Sequence, residues 1–258
     1  MRVGNVLILT PMKNASPFLE TYFSALSKLS YPRDLISLGF LESDSRDDTY
    51  ERLLKQAAEL APFYRRVGVW KRDFGLQFPV GKPRWSPELQ VVRRSILARS
   101  RNHLLSRALA DEDWVLWIDA DVIDYPADVV ERLLAVGKDI AHPHCLVQRD
   151  NAARRTFDLN AWRDRGALHM DDLRAEGDLV PLDAVGGTML LVRADAHRDG
   201  LIFPPFLYGG RNPRIRDNSP WFPYTAGEIE TEGLGMMARD MGYQCWGLPN
   251  LEILHYPD

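Results

Sequence analysis

Two aspartates, Asp119 and Asp121, have the spacing in this sequence that most directly suggests chemistry. They follow the apolar run 114–118, whose length and composition are typical of a buried β-strand. Side chains at positions i and i+2 of a strand point to the same side, so the two carboxylates are placed to hold one divalent cation. The same residues also suit two solvated turn aspartates or a helix N-cap, and the spacing alone leaves these interpretations open.

A second polar segment, residues 43–49, has the sequence Ser-Asp-Ser-Arg-Asp-Asp-Thr and follows a strand-like run at 35–41. Its short oxygen-bearing side chains suit hydrogen bonds to a ribose or a base, as an acidic residue after a strand binds ribose in dinucleotide folds. Asp and Ser before a helix are also ordinary capping residues, and a helix is predicted from about residue 48. Both roles therefore remain open for this segment.

Five arginines lie in the helix predicted over 87–109: Arg93, Arg94, Arg99, Arg101 and Arg107. Guanidinium groups bind phosphate bidentately and stay charged at neutral pH. Because most arginines on a helix simply form a solvated face, we expect one or two of these five to contact a diphosphate.

Acidic residues occupy alternate positions at Glu228, Glu230 and Glu232, beside a long loop predicted over 204–227. A carboxylate in the first turn of a helix is stabilised by the helix dipole whether or not it has a function.

A histidine, His255, follows an apolar strand-like run at 251–254. A lone histidine is more often structural than a ligand, yet imidazole beside two carboxylates suits Mn²⁺ better than Mg²⁺.

Alternating strands and helices must position these residues. Apolar runs predict strands at 6–9, 35–41, 114–118, 140–143, 184–192 and 251–254. Apolar spacing of three and four predicts helices at 17–29, 48–60, 87–109, 126–136 and 228–242, with loops at 72–88, 144–182 and 204–227. This order is typical of an α/β fold with a mostly parallel central sheet and helices on both faces. In such sheets ligands bind beyond the carboxyl ends of the strands, where the candidate aspartates lie.

The composition narrows the class of protein. The chain has 258 residues, 45% of them hydrophobic, and a net charge of −4, which fits one large or two small folded domains and excludes disorder as the main state. The mild acidic excess argues against nucleic acid as a partner. The two cysteines, Cys145 and Cys245, form neither a zinc motif nor a disulfide framework, so a reducing cytoplasm is the expected compartment. We find no apolar window near the ~20 residues of a membrane span, and the run 6–9 is too short for a signal peptide.

Taken together, the motifs resemble those of the fungal Golgi mannan-polymerase family of α-mannosyltransferases, over nearly the whole chain. The matching motifs are Leu-Thr-Pro-Met-Lys-Asn at 9–14, Tyr-Pro at 31–32, Gly-Phe-Leu at 39–41, Ser-Asp-Ser at 43–45, Asp-Asp-Thr at 47–49, Arg-Arg at 93–94, Ala-Arg-Ser-Arg-Asn at 98–102, Trp-Ile-Asp-Ala-Asp at 117–121, Phe-Asp-Leu-Asn-Ala-Trp at 157–162, Gly-Gly at 186–187, Glu-Thr-Glu-Gly at 230–233, Met-Gly-Tyr at 241–243 and Gly-Leu-Pro at 247–249. The resemblance implies a single GT-A glycosyltransferase domain over 1–258. Residues 1–125 would form its nucleotide-binding half and residues 126–258 its acceptor-binding half.

The resemblance also implies chemistry: GDP-mannose as donor, a divalent metal that is usually Mn²⁺ (Mg²⁺ is possible), and transfer to a glycan or other hydroxyl acceptor with retention of anomeric configuration. Carried over by position, the metal ligands are Asp119, Asp121 and His255. The catalytic residues are Asp121, Arg101, Glu230 and Glu232, the two glutamates orienting the sugar or the acceptor hydroxyl. The residues expected to bind the nucleotide sugar are Thr10, Pro11, Lys13, Asp44, Asp47, Arg94, Arg101, Asp119, Gly186 and Gly187.

Two departures limit what the resemblance implies. The fungal proteins carry an N-terminal membrane anchor that we do not find in this sequence, so we expect a soluble bacterial relative. Residues 208–226 resemble an insertion near the expected acceptor site, so the identity of the acceptor does not transfer.

Three tryptophans, Trp85, Trp162 and Trp221, lie in or beside predicted loops and suit stacking on sugar rings, although core packing is the commoner role of tryptophan.

Other functions must be distinguished from sugar transfer. A nucleotidyltransferase also uses strand-end aspartates and a metal, but it releases pyrophosphate from a nucleoside triphosphate. A dehalogenase-type phosphatase would place its nucleophilic aspartate near the first strand, where this chain has Thr-Pro-Met at 10–12. A non-catalytic subunit of a polymerising complex would keep the fold to bind a partner or glycan, but nothing would oblige it to keep Asp119, Asp121 and His255.

Overall fold

The computed structural model of the protein describes residues 4–77, 86–150, 152–209 and 227–257. Its helices, in chain order, are α1 (Leu19–Ser27), α2 (Thr49–Leu60), α3 (Pro87–Ala108), α4 (Val129–Ala135), α5 (Ala194–Arg198) and α6 (Glu230–Asp240). In α1 the buried side chains include Leu19, Tyr22 and Leu26, the spacing of three and four from which this helix was predicted. Among the described residues, no helix is both long and apolar enough to span a bilayer.

The strands in chain order are β1 (Val6–Met12), β2 (Ile36–Glu42), β3 (Arg66–Lys71), β4 (Trp114–Ile118), β5 (Val122–Asp124), β6 (Ile140–Val147), β7 (Arg155–Thr156), β8 (Trp162–Arg163), β9 (Leu168–His169), β10 (Val180–Leu182), β11 (Met189–Arg193), β12 (Tyr208–Gly209), β13 (Gly227–Glu228) and β14 (Cys245–His255). The large central sheet has the order β10-β14-β6-β11-β4-β1-β2-β3, with β5 paired to β14 and β7 to β6. Strands β3, β2, β1 and β4 are mutually parallel, and β14 is parallel to β6. Strand β11 is antiparallel to both of its neighbours, so the sheet is mixed.

Helices cover both faces of this sheet. Along β1, Val6 and Ile8 join one hydrophobic cluster, whereas Leu7 and Leu9 join the other. The first cluster includes side chains of α1, α2 and α4, and the second includes side chains of α3, α5 and α6. Because both faces are buried, the strands are continuous apolar runs rather than alternating ones. The predicted α/β class with helices on both faces is therefore confirmed, and the mixed sheet is the refinement.

Several elements differ from the predictions for local reasons. Strand β3 was not predicted, because Val67 and Val69 on this edge strand are only half-buried and no apolar run marks it. The strand predicted over 184–192 begins only at Met189, since residues 186–188 form a turn against Asp158. Strand β14 begins at Cys245, earlier than the predicted 251. The loops predicted over 72–88 and 204–227 lie partly outside the described residues.

The strand order brings distant segments together at one end of the sheet. Strand β1 pairs with β4 in parallel, so the segments after both strands leave the sheet at the same edge. Strand β11 runs antiparallel to β4, which places the turn before Met189 beside Asp119. Strand β14 reaches the same edge, where His255 pairs with Val122 of β5. Four separated parts of the chain thus meet around the turn 119–121.

Candidate active site

The turn after β4 is held by backbone hydrogen bonds from both sides. The amide of Asp119 donates to the carbonyl of Thr188 over 2.9 Å, and the amide of Tyr256 donates to the carbonyl of Asp121 over 2.8 Å. The amide of Val122 closes the turn on the carbonyl of Asp119 at 3.2 Å. Both aspartate side chains keep some exposure, 29% for Asp119 and 23% for Asp121. The turn is therefore rigid in its backbone and open at its carboxylates.

Asp121 and His255 form the closest acid–imidazole pair of the site. The Nε2 atom of His255 lies 3.1 Å from Oδ1 of Asp121, and the imidazole is almost fully buried. Its Nδ1 atom lies 2.6 Å from the carbonyl oxygen of Tyr256 and donates to it, since a carbonyl only accepts. The ring of Phe157 stacks on the imidazole with 3.5 Å between centroids. Burial acts to lower the pKa of His255, but the hydrogen bond and charge of Asp121 outweigh it, so the pKa is raised.

Asp119, by contrast, faces an arginine. The Nη2 atom of Arg101 donates to Oδ1 of Asp119 over 2.8 Å. Burial raises the pKa of Asp119, and the neighbouring carboxylate of Asp121 raises it further, while Arg101 opposes both effects. Crowded carboxylates of this kind are stabilised by an added cation.

The predicted metal ligands are only partly gathered. Among the described residues, no group of three or more His, Cys, Asp or Glu side chains is arranged to hold a metal ion. In the structure Arg101 engages the carboxylate of Asp119, and the set of Asp119, Asp121 and His255 as metal ligands stays a prediction. The pair of Asp121 and His255 does fit a divalent cation: the carbonyl at Nδ1 orients Nε2 toward the carboxylate, as is usual for a metal-binding histidine. One imidazole and one carboxylate suit Mn²⁺.

A chain of ion pairs links this turn to helix α6. Arg101, only 4% exposed, donates through Nε to Oε1 of Glu230 over 3.0 Å and through Nη2 to the carbonyl of Gly187 over 3.3 Å. Seven residues earlier on α3, Arg94 lies 3.8 Å from Oε2 of Glu230 and 2.6 Å from Oε2 of Glu232. The indole nitrogen of Trp162 donates to Oε1 of Glu232 over 2.8 Å. These residues were predicted separately, and the structure joins them in one network.

Glu230 occupies a strained backbone conformation. Its φ angle is +61°, in the left-handed region that residues with a side chain rarely adopt. Its amide donates to the carbonyl of Pro204 over 3.0 Å, and its side chain is buried between the two arginines. Strain of this kind persists only where surrounding contacts impose it, and it clusters at functional sites.

The pair of glycines at 186–187 fits closely against two buried charges. A Cβ atom on Gly186 would overlap the carboxylate of Asp158, and one on Gly187 would lie 2.6 Å from Nη2 of Arg101. The Oδ2 atom of Asp158 accepts from the amides of Gly187 and Thr188 at 3.0 and 3.2 Å, and from the Thr188 hydroxyl at 2.9 Å. The two glycines therefore pack against the site's own charges, and their contact with a nucleotide stays a prediction.

Asp158 is a site residue that sequence reasoning did not assign. It is 6% exposed, and burial acts to raise its pKa, but His142 and the hydrogen bonds of Thr188 hold the pKa well below its usual range. The carboxylate therefore stays charged and fixes the turn whose carbonyls contact Arg101 and the Asp119 amide. Its signal was present in the Phe-Asp-Leu-Asn motif at 157–160, but nothing in the sequence connected that motif to the glycines.

A cavity of about 430 Å³ opens beside Asp119 and Asp121. It is lined by Pro11, Met12, Lys13, Asn14, Ala15, Phe18, Ser43, Leu76, Arg93, Ile96, Leu97, Ser100, Arg101, Asp119, Ala120 and Asp121. Of the residues expected to bind a nucleotide sugar, Pro11, Lys13, Arg101 and Asp119 are in this lining. Thr10 is not, since its hydroxyl is buried 2.6 Å from that of Tyr22.

The two acids of the segment 43–49 have neighbours of their own. Asp44, with φ +55°, accepts from the amides of Phe74 and Gly75 at 3.0 and 2.8 Å. Burial acts to raise its pKa, but these amide hydrogen bonds outweigh it and hold the pKa below its usual range. Asp47 accepts from the amide and hydroxyl of Thr49, the first residue of α2, whereas the N-cap residue Asp48 makes no side-chain capping hydrogen bond. Contact of either acid with a nucleotide stays a prediction.

The tryptophans expected to stack on sugars have separate outcomes. Trp162 lies in β8, half-buried, with its indole nitrogen committed to Glu232. Trp85 and Trp221 lie outside the described residues, as does most of the insertion predicted at 208–226. Stacking by these side chains stays a prediction.

The fold defines the structural class of the protein. GT-A glycosyltransferases of known structure share its mixed sheet with helices on both faces. A mannosyltransferase from Pyrobaculum calidifontis, solved in complex with GDP-Man and Mn²⁺, has 16% sequence identity and a TM-score of 0.57, covering 98% of this chain and 56% of that chain. The structure of GalNAc-T7 with UDP, GalNAc and Mn²⁺ has 11% identity and a TM-score of 0.56 over 98% of this chain and 44% of that one. This chain has the GT-A glycosyltransferase fold.

Sequence comparison then gives the family. The Anp1 family model matches residues 2–173 and 167–207, and the chain belongs to the Anp1 family. Mannan polymerase complex subunit MNN9 of Candida albicans is 31% identical over 293 residues, covering 97% of this chain and 74% of that protein. Mannan polymerase II complex anp1 subunit of Schizosaccharomyces pombe is 30% identical over 290 residues, covering 97% of this chain and 63% of that protein. The resemblance to the fungal mannan-polymerase family is thereby confirmed.

Proposed function

We propose that this protein is a metal-dependent, retaining glycosyltransferase that transfers mannose from GDP-mannose to a hydroxyl acceptor. The observation that carries the proposal is the contact between Asp121 and His255 at the end of β4, beside a cavity of about 430 Å³. The relatives named as mannan polymerase subunits and the fold neighbour bound to GDP-Man and Mn²⁺ support the choice of donor and metal.

In this proposal Asp121 and His255 hold the cation, with Mn²⁺ as the first choice and Mg²⁺ as the alternative. Bound there, the cation would offset negative charge on the departing nucleoside diphosphate, which is commonly the largest catalytic contribution. The residues of the chain prepare this position. The Tyr256 carbonyl fixes the tautomer of His255, and Phe157 fixes the plane of its ring.

The donor lies in the cavity, against residues from the half of the chain at 1–125. Arg101 supplies a permanent positive charge there, and Lys13 a second cationic group from the end of β1. The acceptor-binding half, 126–258, contributes α6 and the strand that carries His255. Under this division the donor and acceptor meet at the turn 119–121.

Glu230 and Glu232 act as positioning residues on the acceptor side. Each is paired with arginine, Glu230 with Arg94 and Arg101 and Glu232 with Arg94. A retaining transfer does not need a strong general base at this position. The role of Glu230 is to keep Arg101 directed at the donor, and the role of Glu232 is to hold Arg94, which also lies beside Glu230.

A second candidate is a non-catalytic subunit that keeps the fold to bind a partner or glycan. One observation favours it: Arg101 is ion-paired with the carboxylates of both Asp119 and Glu230, so its charge is compensated without a ligand. The relatives from Candida albicans and Schizosaccharomyces pombe are themselves named as subunits of mannan polymerase complexes. A scaffold of this kind need not bind a nucleotide, whereas a transferase must.

The deciding experiment measures thermal unfolding and calorimetric binding with GDP, GDP-mannose, UDP-glucose and GTP, each with and without Mn²⁺. A true donor at about 100 times its Kd stabilises the protein by roughly 2.7 kcal/mol. Asp121→Asn should remove the Mn²⁺-dependent part of binding and the release of mannose from GDP-mannose. The matched control, Asp124→Asn, changes an exposed acid on the neighbouring strand β5 and should behave as wild type.

Binding of GDP-mannose with Mn²⁺, together with sugar release that Asp121→Asn abolishes, supports the transferase. Binding without sugar release to any acceptor or to water would favour the subunit. Release of pyrophosphate from GTP would instead indicate a nucleotidyltransferase. If wild type bound no nucleotide at all, the proposed function would be wrong.

A further inference from the structure

Two consecutive residues of α3, Ser100 and Arg101, line the cavity, and each has a buried polar atom that makes no hydrogen bond to any described residue. Ser100 is 3% exposed and Arg101 is 4% exposed, and both line the cavity with Asp119 and Asp121. Within the part of the chain that the structure describes, neither Oγ of Ser100 nor Nη1 of Arg101 has a hydrogen-bond partner. The other two nitrogens of Arg101 are committed to Glu230, Asp119 and the Gly187 carbonyl.

The other serines of α3 show that this is unusual for the helix. The hydroxyl of Ser95 donates to the carbonyl of Pro205 over 2.7 Å, and that of Ser106 donates to the carbonyl of His103 over 2.8 Å. A buried polar group without a partner destabilises the folded state, so such groups are rare and call for an explanation. Here the explanation is a group that enters the cavity.

The chemistry of the two atoms limits what that group can be. A guanidinium nitrogen only donates, so the partner of Nη1 must be an acceptor, and a serine hydroxyl beside it can donate to the same acceptor group. Two adjacent donors, one of them charged, suit an anionic oxygen far better than a sugar hydroxyl. The carboxylates of Asp119 and Asp121 are acceptors of this kind, but within the described residues neither Oγ of Ser100 nor Nη1 of Arg101 bonds to them.

We propose that Ser100 is a ligand-binding residue whose hydroxyl, together with Nη1 of Arg101, binds a phosphate oxygen of a nucleoside diphosphate. This inference rests on the proposed function, which supplies the ligand, and it adds a residue that the motif-based assignment did not include. It also explains why a small polar residue stands at a buried helix position where alanine would be more stable in the free protein.

The test compares Ser100→Ala with Ser95→Ala. Both substitutions gain the same helix propensity, so the difference between them reports the hydroxyl alone. Without ligand, Ser100→Ala should melt at the wild-type temperature or above it, whereas Ser95→Ala loses a hydrogen bond and should melt lower. With GDP and Mn²⁺ in calorimetry, Ser100→Ala should bind about tenfold more weakly, a change of about 1.4 kcal/mol. Ser95→Ala should bind like wild type.

A second ligand separates the diphosphate from the rest of the nucleotide. Inorganic pyrophosphate with Mn²⁺ should show the same loss of affinity in Ser100→Ala as GDP does. Loss with GDP but not with pyrophosphate would overturn the assignment to phosphate. Equal GDP affinity in wild type and Ser100→Ala would overturn the inference while leaving the proposed function intact. If wild type bound neither GDP nor any other nucleotide, the proposed function would fail and this inference with it.

Discussion

The carboxylate of Asp158 fills the space that a side chain at position 186 would occupy, so the observed position of Asp158 requires glycine at 186. Oδ2 of the aspartate accepts three hydrogen bonds from the residues that follow this glycine. Through them it fixes the carbonyls that contact Arg101 and the Asp119 amide. A residue outside the cavity thereby determines the position of two residues inside it.

This pairing predicts a non-additive double-mutant cycle. Gly186→Ala forces a collision in a packed turn, and Asp158→Ala removes three buried hydrogen bonds, so each should cost about 2–4 kcal/mol of unfolding free energy. In the double mutant the collision partner is gone, and the total should be smaller than the sum by about 1–2 kcal/mol. Urea unfolding measures all four proteins. Asp158→Ala combined with Ser27→Ala, on the exposed side of α1, should be additive, and strict additivity in the Gly186 cycle would contradict the pairing.

Arg101→Lys should impair activity although it keeps the charge. The guanidinium reaches Asp119, Glu230 and the Gly187 carbonyl at once, which a single ammonium group cannot do. Misplacing charge beside the leaving group commonly lowers turnover by about 100-fold or more. The measurement is the rate of mannose release from GDP-mannose. Arg107→Lys, an exposed position on the same helix, is the control, and equal rates for both variants would exclude this role of Arg101.

Asp44→Ala should loosen the segment that begins after β3. The Asp44 carboxylate accepts hydrogen bonds from the amides of Phe74 and Gly75. The backbone of Asp44 has a left-handed conformation, which alanine tolerates poorly. We expect amide hydrogen exchange at residues 74–75 to become about tenfold faster. Asp44→Asn should have a smaller effect because asparagine accepts hydrogen bonds and tolerates this conformation. Glu51→Gln, at an exposed position of α2, should leave the exchange rates at residues 74–75 unchanged. Unaltered exchange in Asp44→Ala would contradict the prediction.

His197 should make the protein less stable in acid. Burial lowers its pKa to about 4, whereas an imidazole in the unfolded chain titrates at about 6.5. The unfolded state therefore binds a proton first, so the contribution is complete above pH 6.5 and is lost as the pH falls to about 4, by up to about 3 kcal/mol. His197→Asn keeps a donor for the Leu201 carbonyl, which Nδ1 contacts at 2.7 Å. Chemical unfolding at pH 7, 5.5 and 4 should give a flatter profile for this variant, and parallel profiles would contradict the assignment.

Much of the framework was predictable because both faces of the sheet are buried. The runs at β1, β2 and β4 are marked by apolar residues on both faces, and the end of the run at 114–118 located the turn that carries Asp119 and Asp121. Edge strand β3 was not predicted, because its residues are only half-buried. Strand β11 was predicted to start too early, because Val185 and the two glycines that precede β11 were assigned to the strand.

The side-chain partners were harder to predict than the positions. Arg101 was expected at the site, but its partner Glu230 lies 129 residues away along the chain, a distance that local patterns do not bridge. Thr10 stays a predicted nucleotide-binding residue, but local patterns did not show that its hydroxyl lies against Tyr22 of α1, on the strand face of Val6 and Ile8. Strand parity alone would have turned its side chain toward the core. The role of Asp158 could not be inferred from its motif, because that role depends on Gly186 and Gly187, which approach Asp158 only in the folded sheet.

The position of β14 ties ligand capture to the integrity of the whole sheet. Strands β11 and β6 lie between β4, which carries the aspartates, and β14, which carries His255. A partly folded molecule from which β14 has detached would retain much of its helical content and still leave Asp121 without its imidazole. Under the proposed function, nucleotide binding should accordingly be lost before circular dichroism records unfolding. Only completely assembled molecules would then bind the nucleotide.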